Sequence, residues 1–83
     1  MTDFEKREFA IQRAIQFGHL LVLSYEKEDG ESTRFVTPIE IKTSAEGKKY
    51  VSCKQHMPKS DFRSFHLEKI TELYRVFPLA DIV

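Results

Sequence analysis

Few side chains in this sequence have the chemistry for catalysis or metal binding, and their spacing matches no motif for either. Cys53, His56 and Asp61 supply a nucleophile, a base and an acid within a short stretch, but strand and loop geometry gives no reason for them to share hydrogen bonds. His56 and His66 form no helical His-x-x-x-His, and a single cysteine forms no Cys-x-x-Cys pair. We therefore expect no enzyme, no metal site and no cofactor, and we interpret Cys53 as a small buried apolar residue.

Length and composition describe one small domain. The chain has 83 residues, of which 41% are hydrophobic, and at this size most of them are needed for a single core. Its 13 basic and 13 acidic residues balance, so any anion site must be a local arrangement. A single cysteine suits a reducing compartment. No apolar run approaches the ~18 residues of a membrane-spanning helix, and we expect a cytoplasmic protein with no membrane partner.

The first segment has the pattern of an amphipathic helix. Thr2-x-x-Glu5 is a capping box, in which each side chain accepts from the other residue's backbone amide. Apolar residues then follow at helical spacing, and Gly18 tolerates the left-handed conformation that ends many helices. These signals predict a helix over residues 3–17.

After Gly18 the pattern changes to that of short strands. The apolar run over 20–25 and the segment over 33–41 flank Asp29-Gly30, a strong hairpin signal. Pro38 cannot donate to a sheet ladder, so it predicts an edge, a bulge or a bend. The remaining predicted elements are a turn at 43–47, a strand at 49–53, a polar loop at 55–61, and strands at 63–67 and 70–77.

One helix followed by five short strands predicts a mainly β fold. We expect a small five-stranded antiparallel barrel over residues 19–77, closed or nearly closed, because closure removes exposed strand edges. The helix is expected to cover one open end or face. The tail over 78–83 is unusually apolar, so we expect it either to pack back on the domain or to meet a partner.

Several short pieces occur in an order and spacing that resemble the WYL domain family. They are Ala14-Ile15, Leu23-x-Tyr25, Arg34-x-Val36-x-Pro38, Lys49-Tyr50-Val51 and the segment from Arg63 to Ile70. The resemblance covers about Ala10 to Leu73. It implies an Sm-like, SH3-type barrel that serves as a sensing module in bacterial and phage regulatory proteins, including regulators of transcription.

The chain departs from the family pattern at several positions. Lys49 and Val51 stand where the signature Trp and Leu would be, which leaves only Tyr50 of the trio. In the arginine-rich segment the matches are Arg63, Phe65, Leu67 and Ile70, and the replacements are His66, Glu68 and Lys69. Most relatives also carry a helix-turn-helix ahead of the domain. Only one helix fits before His19, so we do not expect this chain alone to regulate a promoter.

The resemblance implies a surface for nucleic acid or a nucleotide-like ligand. Its ligand-binding residues in this sequence are Arg34, Tyr50, Arg63, His66 and Lys69. An arginine offers a planar fork for phosphate, a lysine a flexible point charge, and a tyrosine a ring on which a base can stack. Structural roles stay open: Arg63 can instead pair with Glu68 or Glu72, and Tyr50 can be an aromatic residue of the core or rim.

Two hypotheses from different classes follow. The leading one is a sensing module that binds nucleic acid or a nucleotide-like anion and passes the binding state to a partner regulatory protein. The alternative is a small phage- or bacterium-encoded interaction or inhibitor protein, which acts through its tail or a sheet edge without a nucleic-acid ligand. Fold analogy also allows a homo-oligomer through exposed strands, and the number of subunits is left open.

Overall fold

The computed structural model describes residues 2–76, so the predicted tail over 78–83 lies outside the described residues. In chain order the elements are helix α1 (Asp3–Phe17), strands β1 (Leu20–Lys27), β2 (Gly30–Thr43), β3 (Lys49–Met57) and β4 (Asp61–His66), a 3-10 turn (Leu67–Lys69), and strand β5 (Ile70–Val76). The predicted loop over 55–61 is wrong in its first part, because β3 continues through Met57. Gln55, the first residue of the predicted loop, is fully buried and paired in the sheet.

Helix α1 begins and ends as its sequence predicts. The amide of Glu5 donates to Thr2 Oγ1 at 3.1 Å, and the amide of Thr2 donates to Glu5 Oε1 at 3.0 Å. Gly18 ends the helix with φ 69°, in the left-handed region that favours glycine. The helix packs mainly on β2. It is also tied to the start of β3, where Lys49 Nζ donates to Glu8 Oε2 at 2.6 Å.

The strands form one antiparallel sheet in the order β4-β3-β2-β1-β5. The long strand β2 pairs with β1 along its first part, where Val36 faces Leu21, and with β3 along its second part, where Ile41 faces Val51. The β2–β3 register shifts just after Pro38. Of the edge, bulge or bend predicted at Pro38, the structure has an irregularity in the ladder within a central strand, since this residue has no amide proton for the ladder.

The five-stranded antiparallel sheet is not closed into a barrel, which corrects the expectation of a closed five-stranded barrel. Within residues 2–76, β4 pairs only with β3 and β5 only with β1, so both remain edge strands. The 3-10 turn carries the chain from one edge to the other without pairing them. Leu67 in this turn and Ile70 directly after it are buried members of the core.

The core lies between the inner face of the sheet and α1. Its members share almost complete burial, and they are Ile11, Ala14, Leu21, Leu23, Val36, Val51, Cys53, Phe65, Leu67 and Ile70. Cys53 is thus a small buried residue, as interpreted from the sequence. In the part of the chain that the structure describes, no helix is long and apolar enough to cross a membrane.

Candidate anion-binding site

Arg34 is a buried cation on the inner face of the sheet. It lies on β2 opposite Leu23 of β1, and strand alternation turns both side chains towards the core. Only 8% of Arg34 is exposed. Its Nε donates to Ser32 Oγ at 2.9 Å and its Nη1 donates to Gln55 Oε1 at 2.8 Å. Both partners are neutral, so no carboxylate among residues 2–76 offsets this charge at short range.

Gln55 connects Arg34 to the surface. Its Oε1 accepts from Arg34, while its Nε2 donates to the carbonyl oxygen of Lys59 at 2.8 Å and to Asp61 Oδ1 at 3.2 Å. The amide therefore uses its acceptor on the cation and its donors on a carbonyl and a carboxylate, which fixes its orientation. Because residues 55–61 are mostly polar, the sequence predicted a loop there, although Gln55 belongs to the buried face of the sheet.

Asp61 and Arg63 end this chain of hydrogen bonds in solvent. Arg63 Nε donates to both carboxylate oxygens of Asp61 at 3.1 Å, and Nη2 lies 3.0 Å from Oδ2. The hydrogen bonds between the two side chains hold the pKa of Asp61 below its ordinary value and raise the pKa of Arg63 above its ordinary value. We call Arg34, Gln55, Asp61 and Arg63 the arginine network.

The partner of Arg63 differs from the pairing expected from the sequence. Glu68 and Glu72 were the expected partners, but Glu68 Oε1 lies 3.5 Å from Lys48 Nζ, and Glu72 Oε2 accepts from the Tyr74 hydroxyl at 3.4 Å. Arg63 pairs with Asp61 instead because residues two apart on a strand share a face. If Arg63 has a structural role instead of a ligand-binding one, that role is the ion pair with Asp61 on the same strand, β4.

Tyr50 and His66 form a second pair, on the opposite face of the sheet. They face each other across β3 and β4, with ring centroids 6.1 Å apart and planes inclined by 62°. Their sequence neighbours Val51 and Phe65 are buried in the core, so alternation turns Tyr50 and His66 outwards. His66 Nδ1 is buried and has no hydrogen-bond partner among residues 2–76.

Lys69 lies apart from both groups. It is exposed on the 3-10 turn and lines a shallow cavity with residues from the end of β1 and the hairpin, namely Tyr25, Glu26, Lys27 and Glu28. Of the five predicted ligand-binding residues, the structure therefore joins Arg34 to Arg63 through hydrogen bonds and joins Tyr50 to His66 by ring contact. Lys69 belongs to neither group and lies beside the end of β1.

Sequence reasoning missed Gln55 and Asp61, although one signal points to Gln55. Val51, Cys53 and Gln55 are two positions apart, and this period-two spacing reaches the first residue of the stretch that was predicted as a loop. All three side chains are fully buried. Asp61 carries no comparable signal, since its role depends on where the loop after β3 returns the chain.

Cys53, His56 and Asp61 do not converge. Cys53 Sγ points into the core, 3.8 Å from the carbonyl oxygen of Val51, and burial raises the pKa of its thiol to about 12. His56 lies on the outer face, where its Nε2 is 2.7 Å from Thr37 Oγ1. Also on the outer face, Lys54 Nζ lies 4.7 Å from the ring centroid of Phe62, a ring that is 73% exposed.

The fold and the arginine network define a small β-rich domain in which an arginine on the central strand β2 is linked to an arginine on the edge strand β4. The sequence model of the WYL domain family matches residues 9–75. The chain therefore belongs to the WYL domain family, as its sequence pattern indicated. No curated protein matches the chain significantly.

A solved structure has a similar fold. The chain is similar to proteasome accessory factor B/C (PafBC) of Arthrobacter aurescens, with 26% sequence identity and a TM-score of 0.79. The match covers 90% of this chain and 12% of the PafBC chain. This chain therefore spans only a small part of the length of the PafBC chain.

Proposed function

We propose that this WYL domain is a regulatory sensing module that recognises a nucleic-acid segment or a nucleotide-like anion and passes the binding state to a partner protein. The observation that carries the proposal is the buried charge of Arg34. Burying a cation is costly unless it is paired, and the partners of Arg34 among residues 2–76 are neutral. An anion would supply the missing negative charge.

The donors of the network support phosphate as that anion. Arg34 Nη2 has no acceptor within the described part of the chain, and the Arg63 side chain is 44% exposed. A guanidinium binds phosphate through two parallel hydrogen bonds. One arginine can therefore contact the ligand in solvent, and the other can stabilise it from within the fold.

The remaining candidate residues enter the proposal as separate surfaces. Tyr50 and His66 offer rings on the outer face, where a base could stack, and they are on the same sheet half as Arg63. Lys69 lies beside the end of β1 and not beside the arginine network. We therefore propose it only as an additional positive charge outside the network. This division predicts that phosphate binding depends on Arg63 and that base preference depends on Tyr50.

The partner and the cellular setting are also proposals. In PafBC the matching region is only 12% of the chain, which supports a role in which a domain of this kind acts together with further protein segments. We propose a binding role without catalysis, since Cys53, His56 and Asp61 point to different places. A free, buried thiol at Cys53 fits a reducing compartment such as the cytoplasm.

Fluorescence anisotropy of labelled single-stranded DNA and RNA tests the proposal directly. We expect saturable binding that weakens as salt rises, because phosphate contacts release counterions. Arg63→Ala should weaken binding about tenfold through loss of a charge-assisted contact. Arg13→Ala is the matched control, since Arg13 is an exposed arginine that lies over the Phe9 and Phe17 rings on α1. Absence of wild-type binding to DNA, RNA and inorganic phosphate would contradict the proposal.

A second function is favoured by the open sheet. Within residues 2–76, β4 and β5 have one unpaired edge each, and such edges can accept a strand from another protein. This is the interaction alternative, in which the basic residues are structural. Concentration-dependent protection of β4 or β5 amides from hydrogen exchange, together with indifference to nucleic acid, would support it over the sensing module.

A further inference from the structure

We infer that Asp61 is an internal competitor for the ligand, which occupies the guanidinium of Arg63 until a phosphate displaces it. The inference rests on the proposed function, because it assigns a regulatory residue to the same arginine network. It names Asp61 as the group that decides which anions are strong enough to bind.

The geometry of the pair is that of a bound anion. Both Asp61 oxygens accept from Arg63 Nε at 3.1 Å, and Oδ2 lies 3.0 Å from Nη2. A carboxylate and a phosphate present similar pairs of oxygens to a guanidinium. Asp61 therefore occupies the donors that a ligand phosphate would use.

The pair can open while Gln55 keeps its shorter donor bond and gives up only the longer one to Asp61. The side chains of Arg63 and Asp61 are 44% and 29% exposed, and exposed ion pairs are weak. Gln55 Nε2 also donates to the carbonyl oxygen of Lys59 at 2.8 Å. When the Asp61 carboxylate moves away, Gln55 keeps this bond as well as its contact with Arg34.

The exchange selects for charge. A ligand carboxylate carries the same single charge as Asp61 and has no advantage over an acceptor already tethered to the site. A phosphate monoester carries between about 1.5 and 2 negative charges near neutral pH, and a nucleic-acid strand presents several phosphates at once. Competition by Asp61 lowers the affinity for every anion by the same factor, so phosphate esters and polyanions still bind at concentrations where simple carboxylates do not.

The test compares Asp61→Asn with the wild type in the anisotropy assay, using a labelled single-stranded oligonucleotide at fixed salt. Asparagine keeps an oxygen that can accept from Gln55 but removes the competing charge. We expect Asp61→Asn to bind about two- to fivefold more tightly, the strength of an exposed ion pair. Displacement of the oligonucleotide by acetate should also become easier. Asp29→Asn, which removes the same charge from the β1–β2 turn, should leave both measurements unchanged.

Each other outcome overturns the inference. Weaker binding by Asp61→Asn, like that of Arg63→Ala, would make Asp61 a residue that positions Arg63. Unchanged binding would mean that the Asp61–Arg63 ion pair has no effect on the ligand. An equal gain in Asp29→Asn would mean that any loss of negative charge strengthens binding. The gain must also disappear in the double variant Asp61→Asn, Arg63→Ala. If wild type binds and only the Asp61 result fails, the proposed function survives; if neither protein binds oligonucleotide or phosphate, both fail.

Discussion

Replacing Gln55 by methionine should destabilise the fold through Arg34. Methionine has a similar size and shape but neither accepts strongly nor donates. Arg34 Nη1 would lose its acceptor at 2.8 Å, and Arg34 as a residue is only 8% exposed. A hydrogen bond to a charged group contributes about 1.5–3 kcal/mol, and loss of the bonds to Lys59 and Asp61 adds about 1 kcal/mol or more. Allowing for the better burial of a thioether, we expect a loss of about 2–3 kcal/mol.

Urea unfolding followed by circular dichroism measures this loss, with Gln16→Met on the exposed face of α1 as the control. The control should change the free energy of unfolding by less than about 0.5 kcal/mol. The decisive variant is Arg34→Met combined with Gln55→Met, which removes the cation together with its acceptor. It should be more stable than Gln55→Met alone, because no unpaired charge remains buried. A cost below about 0.5 kcal/mol for Gln55→Met, or strictly additive costs in the double variant, would refute the account of Arg34 as a buried cation.

Two further predictions concern titratable groups. Arg63 lowers the pKa of Asp61 below its ordinary value of 3.8, so the pair stabilises the fold above that pH and ceases to do so as pH falls through the folded-state pKa. The stability difference between wild type and Asp61→Asn should therefore shrink when urea unfolding is repeated at pH 3, and a constant difference would contradict this linkage. The Cys53 thiol, with its pKa raised to about 12 by burial, should react with a thiol reagent at pH 8 much more slowly in the native protein than in urea. Equal rates would contradict its burial.

Local signals in the sequence were sufficient for the elements. The capping box at Thr2 and Glu5 and the glycine at position 18 act within one or two turns of backbone, so they predict α1 without reference to the rest of the chain. Pro38 acts in the same way, because a missing amide proton disturbs any ladder. The ordered combination of short motifs also sufficed for the family, since the WYL match covers residues 9–75.

The candidate site could be predicted only in part. Arg34 and Arg63 were recognised by type and position, but nothing in the sequence relates residues 29 positions apart to the same hydrogen-bond network. Gln55 joins them because β3 lies between β2 and β4. Tyr50 and His66 were grouped with the arginines, yet strand alternation places them on the opposite face of the sheet.

By itself, then, the sequence determined the helix, the hairpin, the bulge at Pro38 and membership of the WYL family, because each depends on local backbone chemistry or on an ordered motif. Only the tertiary structure decided that the sheet stays open among residues 2–76, that Gln55 is a buried bridge, and that Arg63 pairs with Asp61. These outcomes depend on long-range pairing and on the burial of polar groups. Their free energies arise only when distant strands pack together.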